Sequence, residues 1–192
     1  FHCYDTQGKK YMKKNKRALR IGLLGIITFS GMLFLLWRGL YNNPEVISSP
    51  LINQPLPAFH LDNLMNESHP LTEKDFKGHI TILNVWASWC SACEMEHPMM
   101  MEIKKNYNYP IYGISYKDDA VQALAFLNAL GNPYSKLGDD NTGDITMDLG
   151  VYGTPETFIV DKNGIIVYKH VGVITPEVWE EEILPVIKSV DK

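Results

Sequence analysis

Two cysteines separated by two residues, Cys90-Ser91-Ala92-Cys93, are the part of this 192-residue sequence whose types and spacing could do chemistry. On the first turn of a helix, such a pair brings its sulfurs within bonding distance. The helix N-terminus also aims backbone N–H groups at the first sulfur, which favours a thiolate there. A thiolate attacks a partner disulfide to form a mixed disulfide, and the second cysteine resolves it. The expected chemistry is thiol–disulfide exchange, with Cys90 and Cys93 as the redox-active disulfide.

Other uses of the pair fit less well. A zinc site on Cys90, Cys93 and His97 would lack further ligands, since no second C-x-x-C and no H-x-x-x-H is present. Haem attachment needs C-x-x-C-H, and residue 94 is Glu. An inert disulfide closing so small a ring would constrain the unfolded chain very little. The third cysteine, Cys3, precedes Met12, which opens MKKNKRALR in the manner of a signal-anchor start. Residues 1–11 are therefore expected not to be native chain, and Cys3 carries no functional weight.

The elements around the pair must hold it at the end of a strand. Residues 79–86 (HITILNVW) are an apolar, β-branched run suited to a strand buried on both faces. A helix is expected from Cys90 to about Asn106, kinked at Pro98. Residues 111–116 read as a strand and 118–130 as a helix stopped by Gly131-Asn132-Pro133. A short helix is expected over 144–149. Strands 157–160 and 165–170 flank Asn163-Gly164, a hairpin signal, and an amphipathic helix closes the chain over 176–190. This order predicts an α/β domain with a mixed central sheet flanked by helices. The cysteines then sit at the carboxyl edge of a strand, where such folds place their sites.

Upstream, residues 21–37 carry no charge and would form a helix roughly 25 Å long, slightly short of a ~30 Å hydrocarbon core. Snorkelling by Arg20 and Arg38 and the neighbouring Gly39 and Leu40 make up the difference. Trp37 and Tyr41 suit the far interface. The stretch exceeds a signal-peptide core and no A-x-A follows it, so an uncleaved anchor is expected. Residues 1–40 carry a net charge of +7 and the remainder −11. Basic residues ahead of the span place the N-terminus in the cytoplasm. The acidic remainder argues against nucleic acid as a partner. The expected organisation is a basic N-terminus over 1–20, a transmembrane helix over 21–40, a Pro/Asn/Ser-rich linker over 41–56 and a catalytic domain over 57–192.

Two segments carry a family resemblance. Trp86-Ala87-Ser88-Trp89-Cys90-Ser91-Ala92-Cys93 resembles the W-x-x-W-C-x-x-C signature of thioredoxin-like proteins. Gly150-Val151-Tyr152-Gly153-Thr154-Pro155-Glu156-Thr157-Phe158 is similar to the G-V-x-G-x-P-E-T-F segment of membrane-anchored reductases of cytochrome c maturation, the CcmG/DsbE type. The resemblance covers about residues 55–190.

It implies a thioredoxin-like fold behind a transmembrane helix, and a cis-proline at Pro155 facing the disulfide and aligning an extended client segment. From the residues alone, Pro155 could equally be an ordinary turn proline. Glu96 and Glu156 match acidic positions near the active site of that family. A carboxylate there would raise a thiol pKa and shuttle a proton to or from Cys93. A solvated helix face is the competing reading of Glu96. Trp89 would shield the disulfide and contact partners, Trp86 would lie in the core, and His97 would pack or face solvent. Thioredoxins carry a buried Asp six residues before the first cysteine; here the position is Asn84, which cannot titrate. Ser91-Ala92 replaces the thioredoxin Gly-Pro and tunes the potential.

The resemblance implies an enzyme without a cofactor, anchored in the bacterial inner membrane with its domain in the periplasm. Its client would be apocytochrome c, or a partner reductase of cytochrome c maturation. Its electrons would come from a membrane thiol transporter of the DsbD/CcdA type. A general periplasmic disulfide oxidase or isomerase, and a non-catalytic apocytochrome chaperone, are the rival readings. A peroxiredoxin fits worse, because Ala87 stands where a Thr is needed.

Overall fold

The computed structural model describes residues 6–40 (side chains from 19 to 38), 51–65 and 69–191. The chain divides into two units, Phe1–Ile47 and Ser48–Lys192. Cys3, Tyr41 and the first ten residues of the expected linker lie outside the described residues.

In the first unit the described residues form one helix, α1, from Thr6 to Leu40. Its apolar stretch, Leu19–Arg38, has a mean hydropathy of 2.0 over 20 residues, none of them buried. At 1.5 Å per residue that stretch is about 30 Å long, the thickness of a hydrocarbon core. The Thr28 hydroxyl inside it donates to the Gly25 carbonyl at 3.0 Å and the Leu24 carbonyl at 3.1 Å, so this hydroxyl is satisfied within the helix.

The second unit is built on seven strands: β1 (His60–Asn63), β2 (Leu71–Thr72), β3 (Thr81–Trp86), β4 (Ile111–Tyr116), β5 (Lys136–Asp140), β6 (Glu156–Val160) and β7 (Ile166–Val171). They lie in the order β2-β1-β5-β4-β3-β6-β7. Strands β3, β4 and β5 are parallel, whereas β6 and β7 add antiparallel on one side and β1 on the other. Helices α2 (Ser91–Asn106) and α3 (Ala120–Leu130) make the crossovers, and α4 (Asp144–Asp148) leads towards β6. The C-terminal stretch runs through α5 (Pro176–Val178), a π-helical turn (Trp179–Ile183) and α6 (Leu184–Val190). Pro185 has no N–H for the Glu181 carbonyl, which accounts for the widened turn ahead of it.

Every residue of β3 is buried, as the apolar run predicts. Its side chains alternate between two cores. Ile82 and Trp86 join Met100 and Ile103 of α2, Leu127 of α3, and Trp179, Ile183 and Ile187 of the C-terminal stretch. Leu83 and Val85 join Leu61, Leu71, Phe76, Phe158 and Ile166 on the other face.

Two expectations change. Residues 51–56, read as linker, are fastened to the hairpin of β6 and β7. Asn53 N–H donates to Ile166 (2.7 Å), Leu56 N–H donates to Gly164 (2.9 Å), and Leu56 is buried. Prolines at 50, 55 and 57 made the segment look free, but an edge strand accepts such a partner without demanding a regular ladder. Strand β5, Lys-Leu-Gly-Asp-Asp, was missed because Gly and Asp are depleted in strands. Tertiary crowding selects the glycine: a Cβ on Gly138 would stand 2.8 Å from the Leu61 side chain. Asp140 is buried as a cap, accepting from Thr146 N–H at 2.7 Å and Gly143 N–H at 3.1 Å.

Candidate active site

Strand β3 stops at Trp86, and the chain turns through Ala87-Ser88-Trp89 before α2 begins. Cys90 is the N-cap of α2 in an extended conformation, and its Sγ accepts the Cys93 N–H at 3.1 Å. This is the donation that favours negative charge on the first sulfur. The two cysteines form a disulfide with their Cα atoms 5.2 Å apart, and both are nearly buried. The turn before them is tied to the end of β4. The Asp118 carboxylate accepts from Ser88 N–H and, at 2.8 Å, from the Ser88 hydroxyl. Trp89 Nε1 donates to the Lys117 carbonyl at 3.1 Å while the residue stays 59% exposed.

The segment ahead of β6 faces the sulfurs. The Thr154–Pro155 peptide is cis, and the Thr154 carbonyl oxygen lies 3.5 Å from Cys90 Sγ. Glu156 braces this loop from within. One carboxylate oxygen accepts Tyr152 N–H (3.0 Å) and Gly153 N–H (3.3 Å), and the other pairs with Lys169 Nζ at 2.7 Å. Lys169 also donates to the Gly150 carbonyl at 2.9 Å.

A proton-exchanging role beside the sulfurs was expected of Glu156, and its position differs. Thr157 meets Asn84 on the face that carries α2, so Glu156, one residue earlier, points to the opposite face of the sheet. Its carboxylate is committed to a buried cation and two amides.

Glu96 occupies the expected place. It lies three residues after Cys93, on the same side of α2, and is 1% exposed, which rules out the solvated-face reading. One oxygen accepts Ile174 N–H and the other accepts Asn84 Nδ2–H, both at 2.9 Å. Burial pushes its pKa up to about 7, against the opposing pull of these two donors. Asn84 in turn donates to Thr157 Oγ1 at 3.0 Å and accepts the Tyr134 hydroxyl at 2.8 Å. Tyr134 stacks on Trp86, with ring centroids 5.4 Å apart. Trp86 is in the core as expected. His97 is buried too, its Nε2 bonded to the Gly131 carbonyl at 2.9 Å, and burial lowers its pKa.

The structure thus gathers Cys90, Cys93, Glu96, Trp89 and Pro155 at one end of the sheet, with Glu156 behind the loop. Sequence reasoning missed Asp118, Tyr134, Thr157 and Lys169. Thr157 and Lys169 had a readable signal: polar residues inside otherwise apolar strands of a buried sheet. Asp118 and Tyr134 sit in loops and gave none.

Residues 51–184 match the Redoxin family. The chain is 42% identical over 174 residues to the thiol:disulfide interchange protein DsbE of Pseudomonas aeruginosa, covering 91% of this chain and 95% of that one. It is 41% identical over 186 residues to DsbE of Escherichia coli, covering 92% and 97%. The fold is similar to a secreted thiol-disulfide isomerase of Corynebacterium glutamicum (TM-score 0.60, 24% identity, 69% of this chain and 85% of that one). It is also similar to an exposed lipoprotein thioredoxin of Streptococcus pneumoniae (TM-score 0.56, 24% identity, 69% and 99%). A C-x-x-C disulfide at a helix N-terminus, on a thioredoxin-like sheet and within this sequence likeness, makes the chain a thiol–disulfide oxidoreductase that belongs to the DsbE family of thiol:disulfide interchange proteins.

Proposed function

We propose that this protein is the dedicated reductant of apocytochrome c maturation in the periplasm, held at the inner membrane by α1. Reduced Cys90 attacks the disulfide of a client C-x-x-C-H segment, or that of a partner reductase, and Cys93 resolves the mixed disulfide. Glu96 accepts the Cys93 proton during resolution, and the Thr154–Pro155 loop aligns the client backbone. Glu156 supports that loop through Lys169, and Trp89 covers the disulfide and contacts the client. A membrane thiol transporter of the DsbD/CcdA type returns the enzyme to the dithiol. The basic residues ahead of Leu19 support a cytoplasmic N-terminus and a periplasmic domain.

One observation carries the reading: a buried carboxyl with a pKa of about 7 lies three residues from the resolving cysteine. A group that titrates near neutrality is suited to take and return a proton in each cycle. The test is capture in cells. Cys93→Ala should accumulate mixed disulfides at Cys90, and identification of the captured proteins should return an apocytochrome or a cytochrome maturation protein. Recovery only of unrelated secreted proteins would turn the reading towards a general oxidase or isomerase.

A further inference from the structure

Asn84 offers Glu96 a side chain that could serve either protonation state. Its Nδ2 can donate to a carboxylate, or, after an amide flip, its Oδ1 can accept from a carboxylic acid. In the structure it donates, and the reason lies on its far side. Among the described residues Asn84 Oδ1 is the acceptor of the Tyr134 hydroxyl, at 2.8 Å in a fully buried setting. Flipping the amide would turn Nδ2 towards that hydroxyl and leave a buried O–H without an acceptor, which is costly. Tyr134 itself is clamped by stacking on Trp86. Burial, followed by the nearby Glu96 charge, drives its pKa far upward, so it stays a donor.

We propose that Tyr134 is a positioning residue for thiol–disulfide exchange: its hydroxyl fixes the Asn84 amide and thereby keeps Glu96 as a carboxylate ready to take the Cys93 proton. The proposal rests on the proton-accepting role given to Glu96 above. Asn84 from β3 and the Ile174 N–H after β7 bond that carboxyl, Thr157 from β6 and Tyr134 ahead of β5 reach it through Asn84, and Cys93 lies one turn earlier on its own helix. Cys93 and Tyr134 are the titratable ones, and no charged side chain contributes to the Glu96 shift. Cys93 S–H gives its proton to Glu96, and the new thiolate attacks Cys90 Sγ. The mixed disulfide breaks, the client leaves as a thiolate, and two electrons have passed from the enzyme dithiol to the client.

The test uses the detergent-solubilised full chain carrying Cys3→Ala, reduced and mixed with dithiobis-nitrobenzoate. The first thionitrobenzoate release reports attack by Cys90; the second, independent of reagent concentration, reports resolution by Cys93. For the wild type the second rate should rise with pH through a midpoint that Glu96→Gln abolishes. Tyr134→Phe, which keeps the ring on Trp86, should move that midpoint up by roughly half to one pH unit, a three- to tenfold slower resolution below it. The plateau at high pH should be preserved, and the first phase should be unaltered. Replacing Tyr134 by 3-fluorotyrosine, a stronger donor of the same shape, should move the midpoint down. A midpoint that stays in place in a folded Tyr134→Phe, or with fluorotyrosine should Tyr134→Phe not fold, overturns the proposal while leaving Glu96 its role. A Glu96→Gln chain that keeps the wild-type midpoint overturns the role of Glu96 itself, and this proposal with it.

Discussion

Lys169 Nζ stands 2.7 Å from the Glu156 carboxylate, with the two side chains 5% and 0% exposed, directly behind the cis Thr154–Pro155 peptide that faces Cys90. The pair is a fastening for the loop and is held from several sides. Lys169 Nζ lies 4.9 Å from the Tyr152 ring centroid and 5.3 Å from that of Phe158, and it donates to Gly150. A buried charge survives desolvation only with such a complete set of partners.

Lys169→Met should therefore destabilise the second unit by about 3–5 kcal/mol, because Glu156 is left buried without a counter-charge. The double variant Lys169→Met/Glu156→Gln should recover much of this loss. Urea denaturation of the oxidised, detergent-solubilised chain measures both. Equal losses in the single and double variants would show that the ion pair is not what supports the loop.

Glu96 predicts a pH dependence of stability with a definite sign. Folding raises its pKa from 4.5 to about 7, so between these values the folded state holds a proton that the unfolded chain has released. Stability due to this group is greatest below pH 4.5, falls as pH rises through the window, and carries the full penalty above it. The ceiling is about 3 kcal/mol. Glu96→Gln should flatten this slope. The His97 contribution has the opposite sign, because burial lowers its pKa and makes its contribution fade as pH falls. Urea midpoints at pH 5 and pH 8 check both statements.

Asp118 anchors the turn that presents Cys90. Asp118→Ala leaves Ser88 N–H without its acceptor and should cost about 1–3 kcal/mol. It should also broaden the Trp89 environment, since Lys117 beside it holds the indole. Trp89 fluorescence and the thermal midpoint report the two effects separately.

Trp89→Ala should behave differently. The residue is 59% exposed, donates its indole N–H to Lys117 and meets Tyr116 only at a ring-centroid distance of 6.5 Å, so stability should change by less than about 1 kcal/mol. Reduction of a C-x-x-C-H peptide disulfide should nonetheless slow, through a raised KM. An unchanged KM would remove Trp89 from the client-binding surface.

Much of this molecule is legible in its residues. The nucleophile and its resolver follow from a two-residue spacing, and the strand that delivers them follows from the unbroken apolar run ending at Trp86. The 19–38 stretch is long and apolar enough to cross a membrane, and that is read from length and hydropathy alone. These are local properties, fixed by chain geometry and side-chain chemistry over a few neighbours. The tertiary structure decided the rest. Glu96 and Glu156 look alike in sequence, yet strand alternation and helix facing send one carboxyl towards Asn84 and Ile174 and the other towards Lys169. Which carboxylate can exchange a proton, and which is locked in an ion pair, depends on partners 12 to 78 residues away, and the sequence does not order those partners in space. Desolvation and the placing of a few donors set the protonation of a buried carboxyl, and both exist only once the sheet has closed around it.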